Sequence, residues 1–102
     1  MEDPTIPSEL RRLLDSGGRI EYYPKKKKHL RPFIWRYLHS KIEEAVEYSE
    51  SELNAIIRAW IAFDDYVTLR RDLYDHAYID RAIDGSKYWK IYPEKLAPTS
   101  LE

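Results

Sequence analysis

Two helical stripes of apolar residues meet across a gap too short for anything but a turn. Leu53, Ile56, Ile57 and Trp60 recur at helical spacing, and so do Tyr66, Leu69, Leu73 and Ala77. Ser49 followed by Glu52 forms a capping box, with the hydroxyl accepting from the third backbone N–H and the carboxylate reaching back. Asp64 or Asp65 caps the next helix, which runs from Tyr66 to about His76. Its opposite face carries Val67, Thr68, Arg71 and Asp75. Two amphipathic helices this close bury their stripes together, as in a helix-turn-helix.

Beyond Ala77 the period drops to two. Tyr78–Ala82 and Lys87–Tyr92 read as strands, and Ile83-Asp84-Gly85-Ser86 between them carries an Asp-Gly hairpin signal. Alternation makes one of Tyr88 and Trp89 face inward, and the expectation is Trp89. Upstream, Ser8 is expected to cap a short helix over Glu9–Asp15 with Leu10, Leu13 and Leu14 on one face, stopped by Gly17-Gly18. Arg19–Tyr23 then suits a short strand around Ile20 and Tyr22, closed by Pro24. A longer helix follows through Phe33, Ile34, Tyr37, Leu38 and Ile42, beginning near His29–Arg31 with Pro32 in its first turn and leaving Arg36, His39 and Lys41 outside. The fold class is therefore α+β and mostly helical. It is a winged helix-turn-helix-like domain of three to four helices with a C-terminal two-stranded β-hairpin wing and a short N-terminal strand.

A chain of 102 residues, 43% hydrophobic and 14% aromatic, makes one core and one domain, expected over residues 8–92. Residues 1–7 read as a flexible lead-in and 93–102 as a disordered tail, with Leu101-Glu102 resembling a vector scar. There is no cysteine, so disulfides and thiolate metal sites are excluded. No apolar run approaches about 18 residues and no leader pattern opens the chain, which gives the expectation of a cytoplasmic protein without a membrane segment. The net charge of −1 conceals segregation. Eight Lys/Arg against one Glu give residues 19–41 a charge of +7, while seven acids against Arg58 give residues 42–65 a charge of −6.

Nothing in the sequence supports catalysis. His29, His39 and His76 have no metal-ligand spacing, and no nucleophile–base arrangement is present. Helix capping accounts for Asp64-Asp65 without a cation, and Gly17, Gly18 and Gly85 make no phosphate-cradling loop. The chain is expected to be no enzyme and to need no cofactor or metal.

Three segments are candidates for binding. Lys25, Lys26, Lys27 and Lys28, extended by Arg31, concentrate charge that suits phosphates; the alternative is a solvated helix start. In the helix after Asp65, Thr68 and Arg71 face away from the core with Arg70 and Tyr74 at the edge, the placement of a recognition helix. Asp65, Asp72 and Asp75 beside them repel phosphate, and an Arg71–Asp75 pair at i, i+4 is the plainer reading. Arg81 and Lys87 flank the hairpin turn, where a wing touches phosphates. Nine tyrosines leave some exposed, which fits a protein interface as readily as a base-stacking surface.

These residues also carry a family likeness. GRIEYYPKKKKHLRPFIWRYL, YSESELNAII, DDYVTLRRDLYDHAYIDR and DGSKYW, spanning Gly18 to Tyr92, resemble the bacterial family catalogued as domain of unknown function 2087. That family occurs alone or attached to transcriptional regulators of the arsenic-repressor type. The resemblance implies a winged-helix-like fold and a role in nucleic-acid binding or transcriptional control. The leading expectation is a winged helix that binds duplex DNA in transcriptional regulation. The alternative is a winged-helix module that pairs with a protein partner or with itself.

Overall fold

The structure, a computed structural model, describes residues 7–93. Its elements run α1 (Ser8–Arg11), a 3-10 turn (Lys28–Leu30), α2 (Arg31–His39), β1 (Glu47–Tyr48), α3 (Glu50–Ala59), α4 (Tyr66–Asp75), β2 (Ile79–Arg81) and β3 (Tyr88–Lys90). The strands form one antiparallel sheet in the order β1-β3-β2, and β2 and β3 make the C-terminal hairpin. The fold is α+β, with a winged-helix-like arrangement in which α3 and α4 follow β1 and the hairpin follows α4.

The α3–α4 pair forms for the reasons its sequence supplies. Ser49 Oγ accepts from the Glu52 N–H at 3.1 Å, and Glu52 Oε1 accepts from the Ser49 N–H at 2.8 Å. Asp65, not Asp64, caps α4 through the Thr68 N–H at 3.3 Å. Leu53, Ile57, Leu69 and Leu73 are wholly buried and join in one core. Ile56 and Trp60, expected on the same core face, are only half-buried at its edge. Helix α4 ends in a Schellman turn, with the Tyr78 N–H donating to Leu73 O at 2.8 Å and the Ala77 N–H to Tyr74 O at 3.1 Å. Ala77 takes the left-handed backbone there at φ +66°, a position glycine usually holds. That reversal turns the chain from α4 straight into β2.

The N-terminal part departs from expectation. Pro7, not Ser8, stands at the N-cap, and α1 stops at Arg11, well short of Asp15. Residues 13–15 pair instead with residues 19–21 across the Gly17-Gly18 reversal: Asp15 N–H donates to Arg19 O at 2.8 Å and Glu21 N–H to Leu13 O at 2.7 Å. The expected strand at Arg19–Tyr23 contracts to Ile20, which bridges Leu14 on one side and Ile61 on the other. Ile20 is fully buried, whereas Tyr22 is exposed and Tyr23 turns inward. Backbone pairing with the α3–α4 turn fixes this segment better than a local strand period does.

Helix α2 starts at Arg31 with Pro32 in its first turn, as expected, but ends at His39; Ile42 remains buried in the turn beyond. His39, expected outside, is 5% exposed. Its Nε2–H donates to Ile91 O at 2.6 Å, and its ring meets Tyr78 and Tyr92 edge-on. Burial holds its pKa below the ordinary histidine value. The segment after β3 therefore covers a helix position that the period assigns to solvent. Pro93, assigned to the tail, is likewise buried, while residues 94–102 and 1–6 lie outside the described residues.

In the hairpin the Gly85 N–H donates to Ala82 O at 2.9 Å with Gly85 at φ +76°, which is why Asp84-Gly85 makes the turn. Tyr88, not Trp89, is the buried aromatic of β3. Strand β3 lies between its two neighbours, with Tyr88 opposite both Tyr48 and Arg81. Its inward face is thus set by the sheet's packing on the helices. Strand β1 was not foreseen, since two residues are too few to show a period.

Candidate nucleic-acid interface

Helix α4 presents three surfaces, separated by its turn of about 100° per residue. Leu69 and Leu73 point into the core, while Val67, Arg71 and Asp75 point outward and are exposed. Asp72 lies on one flank; Arg70 and Tyr74 lie on the other.

The wing side is built around two arginines in different states. Arg70 is half-buried and turned back to α3, with Nη1 donating to Asn54 Oδ1 at 2.6 Å and standing 3.8 Å from Glu50 Oε2. It joins the two helices, and its charge is engaged there. Arg81 on β2 lies over the Tyr74 ring at 5.3 Å and remains exposed. Between helix and hairpin is a groove of about 360 Å³, lined by Arg70, Arg71, Tyr74 and Asp75 from α4 and by Arg81 and Tyr88 from the hairpin. Glu50 borders the groove and accepts from the Tyr88 hydroxyl at 3.3 Å. Thr68 sits half-buried, its hydroxyl donating to Asp65 Oδ2 at 2.8 Å. Arg71 makes no hydrogen bond or ion pair among the described residues, so the alternative i, i+4 pair with Asp75 is not made. Lys87, beside the turn, is exposed.

The opposite flank receives Tyr23, two residues ahead of the lysine run. Lys25–Lys28 are exposed, and their side chains make no hydrogen bond, ion pair or ring contact among the described residues. Their backbone is nonetheless pinned. The Tyr23 hydroxyl donates to Asp72 and accepts from Trp35 Nε1 at 2.7 Å. Burial, and then Asp72, raises the Tyr23 pKa well above the ordinary phenol value, so the hydroxyl stays a donor. Trp35 stacks on His76 at 3.9 Å, just past the end of α4. Arg31, expected among the phosphate contacts, donates from Nε to Pro24 O at 2.7 Å, and its guanidinium lies 4.5 Å from the Tyr23 ring centroid. It staples the loop in place.

The structure therefore ties the segment leading into the lysine run to one flank of α4 and sets the wing on the other, with Arg71 on the face between them. It removes Arg31, Arg70 and the Thr68 hydroxyl from the freely available set. Sequence reasoning missed Tyr23, Asp72, Asn54 and Glu50 as the groups that hold this arrangement. No local pattern could have marked them, because Tyr23 and Asp72 are 49 positions apart. Among the described residues no three of His, Asp and Glu come together as a metal-binding group, and no helix is long and apolar enough to cross a membrane.

Comparison with curated proteins and with solved structures gave no match. The family model that matches is described as an uncharacterised protein conserved in bacteria, and it covers residues 19–90. That span takes in everything from Arg19, just after the Gly17-Gly18 reversal, to the end of β3, including α4, the lysine run and the wing. On that match the chain belongs to the DUF2087 family.

Proposed function

We propose that this domain binds duplex DNA and acts in transcriptional regulation, binding without catalysis. The observation that carries the reading is the set of exposed cations on and beside α4. Lys25–Lys28 follow Tyr23, which is tied to one flank by Asp72; Arg81 and Lys87 stand on the wing and Arg71 on the outward face between them. Phosphate contacts from both flanks would set the register, and Arg71 would reach base edges. Asp75 narrows the usable face to the Arg71 side.

The test is a titration with mixed-sequence duplex DNA over a range of salt. Each phosphate contact adds about 0.9 to the slope of log affinity against log salt. Replacing Lys25–Lys28 with Gln is expected to flatten that slope and to weaken binding to all sequences alike, while Arg71→Ala alters preference among sequences. Thermal melts establish that both variants fold. Absence of wild-type binding at about 50 mM salt, where such contacts are strong, would overturn the reading.

A second reading has its own observation. Val67 and Tyr74 on α4 are exposed, and Ile83 at the wing tip is fully exposed at 101%. Apolar groups on the same elements suit a protein partner or a second copy of the chain. Chromatographic measurement of oligomeric state with Ile83→Lys distinguishes self-pairing from DNA binding.

A further inference from the structure

A cleft of about 670 Å³ opens between α1, the Gly17-Gly18 turn, α2 and the end of α3. This size falls within the range of about 300–1,000 Å³ typical of sites for small organic molecules. Its aromatic walls are Phe33 and Tyr37 of α2 and Trp60, the C-cap residue of α3. Tyr37 and Trp60 meet edge to face with centroids 6.0 Å apart. Lys41 Nζ stands 4.0 Å from the Trp60 ring centroid and 4.6 Å from that of Tyr37, and the Arg36 guanidinium lies 5.8 Å from that of Phe33. Neither cation makes an ion pair among the described residues, and no Asp or Glu is among the described residues lining the cleft.

At the Gly18 edge there is no room for a side chain. Gly18 has φ +85°, and a Cβ there would come within 3.2 Å of the Tyr37 hydroxyl, which donates to Gly18 O at 2.7 Å. A side chain would both strain the turn and crowd the ring. Among the described residues the two cations are partnered only by ring faces and no carboxylate lines the cleft, which with its apolar aromatic walls matches one ligand chemistry by charge and shape.

We propose that this cleft binds a small organic anion carrying a planar ring, with its anionic group between Lys41 and Arg36 and its ring against Trp60, Tyr37 and Phe33. The site does not depend on the nucleic-acid reading, since none of its lining residues borders the α4–wing groove. Trp60 O also accepts from the Ile20 N–H at 2.8 Å, so a ligand here bears on the turn that leads into α4.

Benzoate and naphthoate serve as probes. Benzamide supplies the ring without the charge and acetate the charge without the ring. Amide NMR spectra and tryptophan fluorescence are expected to show saturable shifts at Gly18, Lys41 and Trp60 with either aromatic acid. Benzamide and acetate should bind about tenfold more weakly or worse, the loss expected for one charge-assisted contact or one buried ring. Lys41→Gln and Arg36→Gln should each weaken the acids by about tenfold. Because Lys41 packs on Trp60, the exposed Arg36 is the variant least able to disturb folding, and its melting midpoint should match wild type. No saturable shift at these residues with about 10 mM of either acid, where even weak sites fill, would overturn the proposal. Equal binding of benzamide, or shifts centred on Lys25–Lys28, would overturn it too.

Discussion

In α3 and α4 the stabilising features lie within a few residues of one another or on a single shared apolar face. Between Asp15 and Arg31 the chain has little regular structure and is held by partners far along the sequence. The helix pair has a cap at each N-terminus, a Schellman turn after α4 and four wholly buried aliphatic side chains. The segment from Asp15 to Arg31 has Ile20 clamped between Leu14 and Ile61, Tyr23 joined to Asp72 and Trp35, and Arg31 bound back to Pro24. The difference teaches where each part is vulnerable. The helix pair fails by losing core volume, whereas the basic segment fails by losing a few polar contacts and then releases its lysines. For binding, a run of like charges on an unpinned loop presents no fixed geometry; here a tyrosine–aspartate contact ties the residues just before it to α4.

The largest expected effect is in the helix pair. Leu69→Ala removes a wholly buried side chain and should cost about 2–5 kcal/mol in urea unfolding. A cost under about 1 kcal/mol, the size of an ordinary surface change, would show that the α3–α4 core does not dominate stability.

Next comes the pin on the basic segment. Tyr23→Phe keeps the ring but leaves Asp72 and the Trp35 N–H without their partner, at an expected cost of about 1–3 kcal/mol. Combined with Asp72→Asn it should be non-additive by about 0.5–3 kcal/mol. Hydrogen exchange should quicken across residues 24–31 more than within α3. Additive costs and unchanged exchange would mean that the segment is held by burial alone.

The smallest effect tests a local contact. Ser49→Ala removes one cap and should cost about 1 kcal/mol. Paired with Tyr23→Phe it should add within about 0.5 kcal/mol, because the two sites share no partner. Strong coupling between them would break the division of the molecule into a locally coded half and a remotely held one.

The parts read correctly from sequence share a physical cause. Ser49 with Glu52, the stripe through Leu53 and Ile57, the stripe through Leu69 and Leu73, and Asp84-Gly85 all act over four residues or fewer. The misreadings share one as well. His39 lies on the solvent side of its own helical period, yet Ile91 and Tyr92 cover it. Trp89 and Tyr88 alternate, but which of them faces inward depends on what β3 packs against. Helix α1 stops early because residues 13–15 find backbone partners after the glycine pair.

The candidate interface divides in the same way. The exposed lysines, Arg71 and the wing cations were legible as charge on segments without an apolar period. Arg31 and Arg70 read as equally available, because a side chain's charge says nothing about which carbonyl or amide it will meet. By itself the sequence determined the helix pair, the hairpin turn and the segregation of charge, since caps, periods and turns are set by near neighbours. Tertiary structure alone decided which cations stay free, that the segment before the lysine run is tied to α4, and which aromatics close the core. Those outcomes depend on contacts between residues tens of positions apart, and such contacts form only when the whole chain has folded.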